Sequence, residues 1–546
     1  MFLRAKKRFK DGKEHRYWSL VENRRVADGR IVQRQVLYLG EINDSQQAAW
    51  CKTIEVLQEG AGAKLMALFP EDRTVPMLEC EVVHIWLAGL QLKRPRQWGA
   101  CWLACTLSEY FDLDGFWGER LLPSRKGTRW LNVLKTLVVY RLMDPGSEWR
   151  VSRQWYERSA MGDLLGEDIA LVQIQKLSRC LDKVLSHKAA LFSFLKQRWQ
   201  ALFDARFDVL LYDLTSTYFE SVFSESEKKK YGYSRDKRFD CVQVVIGLIV
   251  TPAGFPLAYE VLPGNTSDKT TLASFLNKIE AQYGRTRRVW VMDRGIPTEE
   301  VLATMRAAEP PIHYLVGTPR GRLSQLEQRF LEQPWAHVRE SVEVKLLPEQ
   351  GELYLLARSY RRIEKERAMR RRRLKKLWQR LHELQHQTLT RDQLLLKLGA
   401  AKKEAGRAYY LVEIQLPEKD QLVNAETFCF SLNKKKLRQI RRREGYYLLR
   451  SNLSDQDPQT LWEYYIQLTE IEQAFKELKT DLAIRPVYHQ QDERIEAHIF
   501  VAFLAYCLQV TLKNRLRRLV PGLTPRAVLD IDGRPRFAKR SIDDGE

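Results

Sequence analysis

Asp213, Asp293 and Glu472 are the residues of this 546-residue chain whose types and settings point to chemistry. Asp213 closes a short apolar run in FDVLLYDLTSTYFE and Asp293 closes another in RRVWVMDRGIP, so each is expected at the carboxyl end of a strand, where ligands gather in open α/β sheets. Glu472 lies in TLWEYYIQLTEIEQAFKELKT, residues 460–480, whose Leu461, Tyr465, Leu468, Phe475 and Leu478 recur at helical spacing. At roughly 100° per residue, Tyr465 and Lys479 fall about 20° from Glu472 and Leu468 about 40°, so the carboxylate interrupts an apolar stripe of one helix. A lone carboxylate is costly to bury unless it is paired or holds a metal. Two readings of Glu472 follow: a rim residue paired with Lys476 at i+4, or one member of a set with the two Asp residues. Three carboxylates without Cys or clustered His select hard cations, Mg²⁺ or Mn²⁺, over zinc. Two such ions held about 3.5–4 Å apart activate a nucleophile and stabilise the leaving oxygen of a phosphodiester. They also relieve the mutual repulsion of the carboxylates.

The elements that must position these groups follow a simple order. From residue 206 the chain reads β, β, β, α, β, α, β, which predicts a mixed sheet with helices on both faces. The segment 206–320 is its first part and 456–520, with the Glu472 helix and the apolar IEAHIFVAFLAYCLQVTLKNRLRRL, its last. Between them, 321–455 reads as an insertion: a hairpin (VEVKLLPEQGELYLLARS), a long basic helix with Arg370 to Arg373, strand candidates YYLVEIQL, AETFCFSL and GYYLLRSN, and a second basic helix, NKKKLRQIRRREG. Residues 1–60 form a small β-rich unit with Asp28-Gly29 as a hairpin turn; its Lys13, Arg24, Arg25, Arg30 and Arg34 offer phosphate contacts. Residues 80–205 are helical, and 521–546 a polar tail.

A net charge of +21 points to a polyanionic partner, nucleic acid first. No stretch of about 18 uncharged apolar residues marks a membrane span, and the amino terminus lacks the apolar run of a signal peptide. The 8 cysteines form no CxxC pair, so a zinc ribbon or disulfide framework is not expected and a reducing cytoplasm is. Cys101 and Cys105 suit the core of one helix better than a ligand set. A basic helical segment ahead of an α/β segment suits DNA binding. Arg125, Lys126 and Arg129 near a helix start, Arg294 after the second Asp, and Tyr233, Arg235 and Lys237 in the GYSRDK loop are candidate DNA contacts. For the loop residues a purely structural role is an equal alternative, and a charge run is by default a solvated face. Asp236 and Asp240 are second-choice carboxylates, because they lie in a loop.

The motifs YDLTSTYFE, GYSRDKRFDCVQVVIGLIVTPAGFPLAYEVLPGNTSDKTTL, VWVMDRGI, YYIQLTEIEQAFKELKTDLAIRPVYH and RIEAHIFVAFLAY together resemble the DDE transposases of bacterial insertion sequences, within them the IS-four superfamily with an insertion before the catalytic Glu. The resemblance covers about 210–320 and 445–510. It implies a multidomain α+β chain: an RNase-H-like core interrupted by an insertion domain and preceded by a helical DNA-binding domain. It implies that Asp213, Asp293 and Glu472 are the catalytic, metal-holding triad, with two Mg²⁺ per site and Mn²⁺ as a substitute. Tyr465, Glu472 and Lys479 match the family's helix signature, in which Tyr, Arg and Lys hold DNA phosphates. Leu468 occupies the Arg position and cannot do so. Trp335 or Trp378 could stack on a flipped base, and His489 and His498 match a family pair; packing and hydrogen-bonding roles are the plainer alternatives for all four.

The implied activity is cut-and-paste transposition in the bacterial cytoplasm, at the nucleoid. Terminal inverted repeats would be bound, strands cleaved, and the freed 3′-hydroxyl joined to target DNA without ATP, by a homodimer pairing two ends. A metal-dependent nuclease without strand transfer, and a catalytically silent DNA-binding repressor, are the alternatives. Strand transfer separates the first, and the effect of Asp213→Ala the second.

Overall fold

The computed structural model describes residues 2–10, 13–25, 31–41, 96–220, 226–284, 287–318, 320–419, 421–520 and 522–532. The amino-terminal alternation of apolar and charged residues folds as expected into antiparallel strands β1 (Phe2–Lys10), β2 (Lys13–Arg25) and β3 (Ile31–Glu41). The Asp28-Gly29 turn, residues 80–95 of the expected helical segment and the side chains of Lys13, Arg24, Arg25, Arg30 and Arg34 lie outside the described residues.

The amphipathic runs that follow become α1 (Trp98–Tyr110), α2 (Trp130–Met143), α3 (Ile174–Val184) and α4 (Lys188–Phe203). Cys101 and Cys105 are buried in α1. Burial pushes their thiols up to about 12 and about 11, so they are neutral core residues.

The next stretch builds the sheet. Three antiparallel strands, β4 (Val209–Tyr218), β5 (Gln243–Val250) and β6 (Pro256–Pro263), are followed by α5 (Asp268–Tyr283), β7 (Val289–Met292), α6 (Glu299–Ala307) and β8 (His313–Gly317). β4, β7 and β8 run parallel, so apolar side chains fill both faces of Val209 to Tyr212 and of Trp290 to Met292. This is the strand and helix order expected from the sequence.

After α7 (Arg320–Leu331) come β9 (Ala336–Arg339), β10 (Val342–Glu349), β11 (Glu352–Ser359), α8 (Tyr360–Gln385), α9 (Arg391–Ala405), β12 (Val412–Gln415), β13 (Cys429–Leu432), α10 (Lys434–Arg442) and β14 (Tyr446–Ser451). Four of these strands do not stand apart. β14 pairs with β8 on one side and β11 on the other, giving one nine-stranded mixed sheet in the order β6-β5-β4-β7-β8-β14-β11-β10-β9. Only β12 and β13 pair separately, beside the small apolar core of α8 and α9.

The chain closes with α11 (Pro458–Ile466), α12 (Leu468–Thr480), α13 (Asp492–Leu519) and α14 (Pro525–Asp532). Asp457 caps α11 through the Gln459 and Thr460 amides, with Pro458 in the first turn. The single helix expected over 460–480 is two. At Gln467 the backbone bonds shorten to i+3, Gln467 N–H to Tyr464 O (3.3 Å) and Glu470 N–H to Gln467 O (2.8 Å). The polar tail expected from 521 also carries α14, because Val528 and Leu529 find burial in the main core. α13 is the described helix long and apolar enough to cross a membrane, but 94% of its apolar window is buried inside the protein. It packs on α2, α3 and α1, so the helical segment and the sheet share one continuous apolar core.

Candidate active site and nucleic-acid interface

Strand register sets the two aspartates side by side. The parallel pairing of β4 with β7 ends at Tyr212 opposite Met292, so Asp213 and Asp293 are each the first residue beyond it. Asp213 is not at the end of its strand, as expected, but in the middle. β5 continues to pair with β4 from Leu211 through Tyr218 and keeps it extended. The Leu214 N–H donates to Asp213 Oδ1 (2.7 Å). Gly317 ends β8 against this pair: a Cβ there would stand 3.0 Å from the Arg294 nitrogen and 3.3 Å from Asp293 Oδ1. A side chain there would crowd the Arg294 backbone and the Asp293 carboxylate.

α12 brings the third carboxylate. Asp213, Asp293 and Glu472 line one cavity of about 340 Å³, together with Arg294, Tyr465, Leu468 and Arg362. Glu472 does not point into the core: it is exposed to this cavity, while Leu468, Ile471 and Phe475 take the buried face. Its carboxyl is held above the ordinary range, first by partial burial and then by the charge of Asp293, with the Arg362 guanidinium acting against both. The described cavity lining contains carboxylate, hydroxyl and backbone oxygens and neither Cys nor His. That oxygen-rich donor set fits a hard divalent cation.

Tyr465 and Arg294 are therefore brought to the carboxylates, as the sequence predicts. Burial and then the Asp293 charge raise the Tyr465 hydroxyl, which remains protonated. Lys479 does not line the cavity. It lies two turns along α12 and binds Asp236 Oδ1 (2.9 Å), which Arg485 also holds. Asp236 is thus a tether between the GYSRDK loop and α12, and Asp240 is bound by Arg238. Neither lines the cavity. In the loop, Tyr233 is 79% exposed. Lys237 is exposed at a left-handed φ of 61°, and the Arg235 N–H donates to Ser216 Oγ (3.2 Å). Arg125, Lys126 and Arg129 are exposed before α2, away from the carboxylates, with Arg129 3.6 Å from Glu167.

Trp335 packs between Tyr446 and the Arg358 guanidinium, and Trp378 against Phe430. His489 and His498 meet Glu148 (3.3 and 3.6 Å), remote from the cavity. Among the described residues this trio alone groups three ligand-type atoms within 4.8 Å. The Arg141 guanidinium, 3.4 Å from His498 Nδ1, already supplies the cation there. Arg362 was not singled out by the sequence: it belongs to a helix with cations on every face, and nothing in that run marks the one that turns to the cavity.

The family model of the transposase DDE domain matches residues 206–508, and that of the IS1634 family transposase N-terminal domain matches residues 3–61. No curated protein matches. Among solved structures the chain is similar to a piggyBac transposase synaptic complex with hairpin DNA, at 6% identity over 79% of this chain and 76% of that one, with a TM-score of 0.36.

Proposed function

The chain belongs to the DDE transposases of insertion sequences, and from that premise we propose that it binds the terminal inverted repeats of its element, cleaves them and joins the freed 3′-hydroxyls to target DNA. The observation that carries this reading is the meeting of Asp213, Asp293 and Glu472 in one cavity inside the matched segment. We read β4 to β8 with α12 as an RNase-H-like core, and 321–455 as the insertion that interrupts it.

The three carboxylates would hold Mg²⁺, or Mn²⁺ in its place, as two ions that when bound activate the nucleophile and stabilise the leaving oxygen. Arg294, on the cavity wall, meets a phosphate oxygen of the strand. Tyr465, kept protonated, can donate a hydrogen bond to another. Lys479 and Arg485 hold Asp236 and so fix the loop that carries Tyr233, Arg235 and Lys237 toward the DNA. The exposed Arg125, Lys126 and Arg129 contact the duplex backbone away from the cut. Each joining step exchanges one phosphodiester for another, the 3′-oxygen of the target leaving as the attacking 3′-oxygen bonds to phosphorus, so no ATP is needed. The working form is a homodimer pairing two ends in the bacterial cytoplasm.

The test is a Mg²⁺-dependent strand-transfer assay on a plasmid carrying the element's own ends, comparing the natural protein with Glu472→Gln. Transfer is expected from the natural protein alone, with end binding retained by the variant. Equal transfer by both would remove Glu472 from the chemistry, and cleavage without joining would leave a nuclease.

A further inference from the structure

α12 carries Lys476 one turn after Glu472 but no cation one turn before it. Position 468 is one helical turn before Glu472 and faces the same cavity, but its residue is Leu, with no hydrogen-bond donor. A guanidinium reaches that carboxylate from another element. Arg362 sits in the first turn of α8, where the Ser359 hydroxyl accepts the Arg362 N–H (3.4 Å) and fixes the start of the helix. From there its side chain lines the carboxylate cavity, 5.9 Å from the Tyr447 ring centre.

We propose that Arg362 binds a phosphate of the DNA strand held in the carboxylate cavity, making the cationic contact that Leu468 cannot. The inference rests on the phosphodiester reading of the cavity and adds a residue from the inserted segment to it. Three features support the assignment. The side chain is 44% exposed, so a phosphate can reach it. Its ion-pair partner is Glu366 at i+4 (3.0 Å), and because the arginine side of the pair is open a polyanion can compete for it. Glu366 is not stranded by that exchange, because its other oxygen accepts the Gly445 N–H (3.0 Å). Arg also suits this contact better than Lys, because its planar fork can grip two phosphate oxygens.

The test uses the full-length protein and end duplexes carrying one methylphosphonate, at the scissile phosphate or either neighbour, with Ca²⁺ replacing Mg²⁺ so that binding is read without cleavage. For the natural protein, one of the three positions is expected to weaken binding about tenfold. Arg362→Gln is expected to bind unmodified DNA about that much more weakly and to lose nothing further at the same position, while Arg362→Lys recovers part of the loss. Single-turnover cleavage of unmodified ends in Mg²⁺ should fall about 10²-fold in Arg362→Gln. Identical interference profiles in the natural protein and Arg362→Gln would overturn the contact. Failure of the natural protein to cleave its ends in Mg²⁺ would overturn the phosphodiester reading itself, and this inference with it.

Discussion

At the scale of single residues, the carboxylates and the buried histidine pair obey opposite rules. Asp213, Asp293 and Glu472 face a cavity open to solvent, and the Glu472 carboxyl is raised first by partial burial and then by the Asp293 charge. His498 is fully enclosed, and its cost is proton uptake. Burial first, and then the Arg141 charge, depress it from 6.5 to about 4, although Glu148 acts the other way. Glu148 is held well below its ordinary range despite burial, first by hydrogen bonds from His489 and His498. Arg141 from α2, Glu148, His489 and His498 of α13 are the groups that face one another here. The linkage has a definite sign. Between pH 6.5 and about 4 the unfolded chain protonates at His498 and the folded chain does not, so folding stability falls as pH falls through that window. The expected loss is of the order of 3 kcal/mol. Urea unfolding across pH 4 to 7 should show this slope in the natural protein and a flatter one in His498→Gln; parallel slopes would mean that His498 protonates equally in both states.

At the scale of elements, the sequence is informative where a pattern is local and silent where a partner is distant. Asp213 and Asp293 are legible because each follows an apolar run, and Glu472 because an acidic residue interrupts a helical stripe. The break at Gln467 is not legible, since neither Gly nor Pro marks it. Nor is the cation chosen from α8, because arginines and lysines occupy all its faces. The structure resolves that ambiguity by angle. Arg373, Lys376 and Arg380 fall within about 40° of Arg362 on the helix and line a cavity of about 290 Å³ against α9, in which Glu404 is the opposing acid. Arg370 and Leu377, by contrast, turn inward. From Arg362 to Arg380 the helix rises about 27 Å, close to eight base pairs of duplex. DNA leaving the carboxylate cavity along this flank would meet all three cations. Replacing Arg373, Lys376 and Arg380 together by Gln should weaken binding of end duplexes. The slope of log affinity against log salt should drop by about 2.7, with cleavage at saturating DNA unchanged. An unaltered salt slope would make the stripe a solvated face only.

At the scale of the whole molecule, residues 321–455 are structural as well as cationic. A reading from sequence places 321–455 outside the catalytic sheet, since a strand's hydrogen-bond partner cannot be read from its own pattern. The pairing of β14 with β8 makes the sheet continuous across that boundary, and a buried charge cluster secures it. Arg450 of β14 donates to both oxygens of Glu352 on β11 (2.8 Å each) and to Glu299 of α6 (2.7 Å), while Arg306 reaches Glu352 (2.7 Å). Replacing 321–445 by a short turn would still let β8 and β14 pair, because they are antiparallel neighbours. It would also remove Glu352, leave Arg450 with Glu299 as its remaining carboxylate, and bare the β14 edge where β11 had been. An unpaired apolar edge invites association. The shortened chain is therefore expected to aggregate or to melt well below the full-length protein. A shortened chain that melts cooperatively at the full-length temperature would mean that the sheet is complete at β8, and that the strands beyond it merely lean on a core able to stand alone.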